Sequence, residues 1–233
     1  MQTKNHNLSY QDGHTVDNNN FVYTENHKLY YQALRDKKMY PTVAYGCAGT
    51  SKTYGAIAAA YEALMNKKVG KIICTRPNVS FADKNGFLPG TEREKMAPWV
   101  RPLLQHLSVF CSKQFIEQLE ANGKLEFYPL EFIQGMTFDN AFIIVDEVQN
   151  MSFEQLKVFF TRTGKYSKVV MCGDVAQVSP KFAHSGLAEF IRMTEKLDLP
   201  VHRIEFGPDD IVRSETCKQF ILAFDEWEQR KHA

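Results

Sequence analysis

No apolar run in these 233 residues approaches the ~18 needed to cross a bilayer, so none of it reads as a membrane-spanning helix. The opening stretch, MQTKNHNLSYQDGHTVDNNN, lacks an apolar h-region and does not read as a secretory signal; a cytoplasmic location without a membrane partner is expected. Cysteine is sparse. Cys47, Cys74, Cys111, Cys172 and Cys217 are odd in number, widely spaced and without a CxxC pair, which suggests neither a disulfide framework nor a zinc site. An excess of positive charge is missing too: 28 basic residues face 27 acidic ones, a net charge of +1. A protein with a broad basic face for nucleic acid is usually more basic, so such a partner would need cations focused locally or gathered by assembly. There is no internal repeat, no NKxD-like guanine reader and no obvious Arg-rich lid of the small-molecule kinase kind.

What is present is ordinary for a globular chain, 44% hydrophobic and 24% charged. Residues 1–25 are rich in Asn, Gln, His and Asp and read as a polar tail or hairpin; 26–233 read as a single domain. Within it, apolar runs alternate with helical patterns. TVAYG, VGKIICTRP, KLEFYPL, NAFIIVDE, KVVMCGD and HRIEF read as strands, the more apolar of them as strands buried on both faces. Ile57, Ala60, Tyr61 and Leu64 share one helical face, as do Cys217, Phe220, Ile221, Phe224 and Trp227. Thr91 to Glu94 and Ser152 to Gln155 have capping-box spacing, with Gly164 the expected stop of the second helix. Pro98 and Pro102 predict a kink or two short helices. The alternation predicts an α/β fold, a mostly parallel sheet with helices on both faces. In such sheets ligands bind beyond the carboxyl ends of the strands, where GCAGTSKT, TRP, DEVQN and GDVAQ all fall.

The stretch Gly46, Cys47, Ala48, Gly49, Thr50, Ser51, Lys52, Thr53 matches G-x-x-x-x-G-K-[ST] except that Ser51 replaces the last glycine. Its amides and the following helix N-terminus form an anion cradle, and Ser51 keeps its N–H. Lys52 would bridge the β- and γ-phosphates, and the Thr53 hydroxyl would hold Mg²⁺. Asp146, just past a buried strand, can reach Mg²⁺ through its water shell; Glu147 can orient or deprotonate an attacking water. Gln177 is placed to hydrogen-bond the γ-phosphate or that water, and Asp174 to pair with a cation. Arg213 is the candidate arginine finger, delivered from a neighbouring subunit or a distant loop. Taken singly, the same residues also fit a tight strand-to-helix turn, solvated acids near a helix start, a polar turn and a surface arginine.

Together with TRPNVSFADKNGFLPGTEREKMAPWVRPL and QGMTFDNAFIIVDEVQNMSFEQLKVFFTRTG, these loops make the chain resemble the PhoH-like ATPases, a phosphate-starvation-inducible family similar to the core of superfamily 1 helicases. The resemblance runs from about Asn26 to the C-terminus. It implies a P-loop NTPase fold of RecA-like, three-layer form, ATP and Mg²⁺ as cofactors, and Lys52, Thr53, Asp146 and Glu147 as their residues. It matches Gln149 and Gln177 to helicase-like glutamines, and puts His27 about where relatives carry an adenine-reading glutamine. It implies a homo-oligomeric, hexameric ring acting on single-stranded RNA or DNA, with Thr75, Arg76, Gly135 and Thr137 in segments that face nucleic acid or couple it to ATP. The competing reading, favoured by Ser51 and the near-neutral charge, is a nucleotide-controlled scaffold with weak or no hydrolysis; a small-molecule kinase ranks below it.

Overall fold

The computed structural model describes residues 24–77, 92–174 and 185–232. Its centre is a six-stranded sheet in the order β3-β2-β4-β5-β1-β6, every neighbouring pair parallel. The strands are β1 (Thr42–Gly46), β2 (Lys71–Arg76), β3 (Leu125–Pro129), β4 (Ala141–Val145), β5 (Lys168–Cys172) and β6 (His202–Phe206). Every residue of β4 and β5 is buried, as their uninterrupted apolar character requires of central strands covered on both sides.

The two-residue period of the strands divides the core into two layers. Ala44, Ile72, Cys74, Phe142, Ile144 and Val170 face one side, with helix α2 (Lys52–Met65) against them. Val43, Ile73, Ile143, Val145, Val169 and Met171 face the other, under α5 (Phe153–Phe160) and α6 (Leu187–Lys196). Helix α2 is buried nearly all round, and Ala56, Ala58, Ala59 and Ala60 let it lie close to the sheet. A side chain such as Ile144 buried here contributes about 1.5–3 kcal/mol. Helix α1 (Glu25–Leu34), capped by the Thr24 side chain, places Tyr30 and Leu34 in the first layer.

Three local expectations change. Residues Glu92–Leu107 form one helix, α3, with Pro98 and Pro102 inside it, so of the kink and the two short helices expected the second is set aside. The prolines stand four apart and both are exposed, on the side away from the core, while Leu103 and Leu107 anchor the buried side. Helix α5 keeps its Ser152–Gln155 capping box but ends at Phe160, short of Gly164. The Phe138 N–H takes the Arg162 carbonyl and the Gly164 N–H donates to Phe138, which draws 162–164 out of the helix. Helix α4 (Lys113–Ala121), capped by Ser112 over the Phe115 amide, had no counterpart in the pattern reading. The Thr91 cap and the segment GFLPG lie outside the described residues.

Because the sheet is parallel, the ends of β1, β2, β4 and β5 open on the same edge. That edge carries the polar loops.

Candidate nucleotide site

Gly46 closes β1 at φ +103°, where an added Cβ would lie 2.2 Å from the Phe206 carbonyl oxygen. The next amide, Cys47, donates to that carbonyl at 3.0 Å, pinning the loop to the end of β6. Gly49 accepts from the Val212 amide at 3.0 Å. His27 Nε2 meets the Thr50 carbonyl at 3.1 Å, and the Tyr30 hydroxyl donates to the Lys52 carbonyl at 2.9 Å. The outer side of the loop is thus tied down by β6, α1 and the segment after β6. On the inner side, none of the amides of Ala48, Gly49, Thr50 or Ser51 donates to a backbone carbonyl among the described residues. With the first turn of α2 behind them, these donors suit an anion.

Ser51 sits at φ +59°, in the left-handed region. The motif's glycine is explained by this backbone, and serine accepts it at a cost on the order of 1 kcal/mol. Lys52 turns its ammonium onto the loop itself, donating to the Gly46 carbonyl at 2.9 Å, the Cys47 carbonyl at 2.6 Å and Thr50 Oγ1 at 3.0 Å. Burial pushes its pKa down, opposed by the nearby Asp174 charge.

The Thr53 hydroxyl donates to Asp146 Oδ1 at 2.8 Å, joining the start of α2 to the end of β4. The Asp146 amide donates to the Thr75 carbonyl at 2.9 Å. Burial raises the carboxyl's pKa, the Glu147 charge adds to the rise, and the Thr53 hydrogen bond opposes it. Glu147, at φ +54°, begins a 3-10 turn (Val148–Asn150). Gln149 Nε2 donates to Glu147 Oε2 at 2.6 Å, and Gln149 Oε1 accepts the Asp174 amide at 3.1 Å. This buried amide couples the β4 loop to the β5 loop.

Arg213 was expected from a neighbouring subunit or a distant loop. Its own chain brings it here: a Cβ on Gly49 would come 2.9 Å from Arg213 Cγ, and Arg213 lines the same cleft of about 360 Å³ as Lys52, Asp146 and Glu147. Two further wall residues, Tyr54 and His106, escaped the sequence reading. Their rings stand edge to face at 5.7 Å, and burial with the Arg213 charge lowers the His106 pKa. Nothing in the sequence around His106 marks it; its place follows from α3 packing on α2.

Other candidates lie elsewhere. His27 is 1% exposed beneath the loop, its ring 5.2 Å from that of Phe206. Thr75, at the end of β2, is buried with no partner for its hydroxyl among the described residues. The neighbouring Arg76 is half-buried and its charge lowers the Asp146 pKa. Gly135 and Thr137 are exposed on the segment leading back to β4. Gln177 lies outside the described residues.

The Thr53 hydroxyl and Asp146 carboxylate are hard oxygen donors of the kind Mg²⁺ takes when most of its shell is water and phosphate. No group of three or more His, Cys, Asp or Glu residues suited to a metal occurs among the described residues. The site therefore fits a metal that arrives with a polyphosphate better than one held in an all-protein cage.

Comparison with known proteins agrees with this geometry. The family model described as PhoH-like protein matches residues 22–225. A PhoH-like protein of Mycobacterium tuberculosis is 40% identical over 209 residues, covering 88% of this chain and 58% of its own. One from Bacillus subtilis is 41% identical over 182 residues, covering 78% and 57%. Protein PhoH of Escherichia coli is 37% identical over 198 residues, covering 84% and 55%. The chain thus spans a little over half the length of these relatives. Among solved structures, the Hef helicase domain of Pyrococcus furiosus aligns with 80% of this chain and 38% of its own at a TM-score of 0.45 and 12% identity. That likeness is too distant to add to the fold, which rests on the strand order and loops above. No helix among the described residues is long and apolar enough to cross a membrane. The chain belongs to the PhoH-like family, and its fold is that of an α/β P-loop NTPase.

Proposed function

We propose that this PhoH-like chain binds ATP with Mg²⁺ in the cleft between the β1, β4 and β5 loops and hydrolyses it. One observation carries the reading: the Thr53 hydroxyl meets Asp146 at 2.8 Å directly beside a loop whose Ala48–Ser51 amides donate to no backbone carbonyl among the described residues. The Ala48–Ser51 amides hold phosphate oxygens, and Lys52 exchanges the Gly46 and Cys47 carbonyls for the β- and γ-phosphates. Thr53 and Asp146 would hold Mg²⁺, which would supply charge neutralisation to the phosphates. Glu147 accepts a proton from the attacking water. Gln149 fixes that carboxylate and links it to Asp174. Arg213, beside Gly49, places a cation where negative charge grows on the phosphates.

The reading extends to assembly as a homo-oligomeric ring, a hexamer by family resemblance, and to coupling of hydrolysis to single-stranded RNA or DNA. Its support is the resemblance together with Thr75 and Arg76. The Thr75 carbonyl is bonded to the Asp146 amide, so a strand of nucleic acid at the end of β2 would act directly on the Asp146 loop.

Steady-state phosphate release with and without single-stranded RNA tests the proposal. A rate lost in Lys52→Ala and Glu147→Gln, and raised by RNA in the unaltered chain, supports it. A chain that binds ATP but releases no phosphate in either condition is a scaffold instead.

A further inference from the structure

The C-terminal helix α7 (Glu215–His232) turns its apolar side the wrong way for a core element. Ile221 faces inward, where a Cβ on Gly49 would come 3.5 Å from its Cδ1. Phe220, Phe224 and Trp227 face outward at 60%, 65% and 60% exposure, and the Phe220 and Phe224 rings lie 6.3 Å apart. Their i, i+4, i+7 spacing makes one continuous stripe. Isolated surface apolar residues need no explanation, but a row of large rings on one helix marks a contact surface.

The same chain carries a matching concavity. Between α5 and α6, near the amino ends of β1 and β6, lies a groove of about 670 Å³. Phe153, Leu156, Phe160, Phe190, Met193 and Val201 line it, and Phe160 stacks on Phe190 at 5.1 Å. A helix presenting anchors at this spacing is the usual occupant of such a groove. Ile221 holds α7 at the phosphate loop, at the opposite edge of the sheet, so the stripe cannot reach its own chain's groove.

We propose that Phe220 and Phe224, with Trp227 beside them, dock into the α5–α6 groove of a second copy of this chain. The contact is head-to-tail, each copy offering its stripe to one neighbour and its groove to the other, which closes a ring or extends a chain. The three rings supply a little under half of the area such a contact takes. Aromatic side chains at 150–250 Å² each and about 60% exposed present on the order of 300–400 Å². A standard interface takes ~800 Å² per partner. The rest comes from neighbouring residues of an 18-residue helix, some ~27 Å long. Lys157 stands exposed on the groove's rim, and Glu226, paired with Arg230 on α7, flanks Trp227. Since α7 also touches the phosphate loop, the neighbour seats beside the nucleotide cleft.

This inference deepens the assembly part of the proposed function and is independent of hydrolysis. The test is sedimentation of the full chain at micromolar concentration, with and without Mg-ATP. The unaltered chain should sediment as an oligomer. Phe224→Glu, and separately Met193→Glu or the rim change Leu199→Glu, should each fall to one 26.8 kDa chain, a loss of at least about 50-fold in self-affinity. Circular dichroism and unchanged nucleotide binding confirm folding. An equimolar mixture of a stripe variant with a groove variant should recover a dimer and nothing larger, because one good stripe meets one good groove. Oligomers that persist in every variant would overturn the interface and leave the ring reading standing. A monomeric unaltered chain would overturn both. A groove variant that still dimerises while Phe224→Glu does not would mean that two stripes pair with each other.

Discussion

The Thr53 hydroxyl and the Asp146 carboxylate meet at 2.8 Å across two loops 93 residues apart in sequence. Burial works against the charge on Asp146, the pattern expected of a group that serves chemistry at some cost in stability. Asp146→Asn keeps the size and removes the charge. It is expected to leave the melting temperature unchanged or raised by ~2–4 °C, about 1 kcal/mol in a chain of this size. Mg-dependent phosphate release is expected to fall by ~100-fold or more. A calorimetric scan beside a rate measurement checks both, and an active Asp146→Asn protein rules out the assigned metal role.

Two of the loop's three positive-φ positions, Gly46 and Ser51, predict opposite outcomes. Gly46→Ala puts a Cβ 2.2 Å from the Phe206 carbonyl oxygen and is expected to lose more than about 2 kcal/mol, with nucleotide binding lost too. At Ser51 the φ of +59° already suits glycine. Relief of ~1 kcal/mol of strain there nearly cancels glycine's extra freedom in the unfolded chain, ~0.5–1 kcal/mol. Ser51→Gly is therefore expected within about 0.5 kcal/mol of the unaltered protein, with nucleotide affinity kept or improved. Urea unfolding and equilibrium titration with Mg-ATP separate the two cases.

At Gly173 an added Cβ would meet Val148 Cγ1 at 2.7 Å and Gln149 Oε1 at 2.8 Å. Gly173→Ala is expected to displace Gln149 from between Glu147 and Asp174, costing ~1–3 kcal/mol and lowering kcat more than it raises KM. A change in KM alone would mean that Gln149 serves binding and not the orientation of Glu147.

At the far end of β5, the Lys168 ammonium is buried and donates to the Ala33 carbonyl at 2.7 Å and to the Tyr40 carbonyl. Burial brings its pKa down to about 8, against 10.5 for a free side chain. The folded chain therefore holds this proton less tightly than the unfolded chain does. Its share of stability is present above the unfolded value and is lost as pH falls from about 10.5 to about 8. Compared with Lys168→Met, the unaltered protein should gain roughly 2 kcal/mol between pH 8 and pH 10. Parallel stability curves for the two proteins would contradict this.

Much of this was legible because strand burial and loop chemistry leave period and spacing in the sequence. AFIIV and KVVMC announced central strands, and the polar residues after them fell at one edge of the sheet. What was hidden depends on contacts between distant segments. Pro98 and Pro102 read as a kink or two short helices, and the helix stays one because both face water while Leu103 and Leu107 anchor the buried side. Ser51 read as an oddity of the motif until its left-handed backbone gave the reason for glycine. Arg213 read as a group from another subunit or a distant loop, and no pattern shows that Val212 is bonded to Gly49, which brings it in from its own chain. His106 and Tyr54 meet only because α3 lies on α2. The outward turn of Phe220 and Phe224 was equally invisible, since a shared helical face does not say which side is covered.

The central claim is that the Gly46–Thr53 loop is a polyphosphate cradle. A crystal structure with Mg²⁺ and a non-hydrolysable ATP analogue tests it most directly. The account predicts Lys52 Nζ withdrawn from the Gly46 and Cys47 carbonyls and bonded to the β- and γ-phosphates, with the Ala48–Ser51 amides ~3 Å from phosphate oxygens. An empty cleft at saturating nucleotide, with Lys52 still bonded to its own loop, would contradict it.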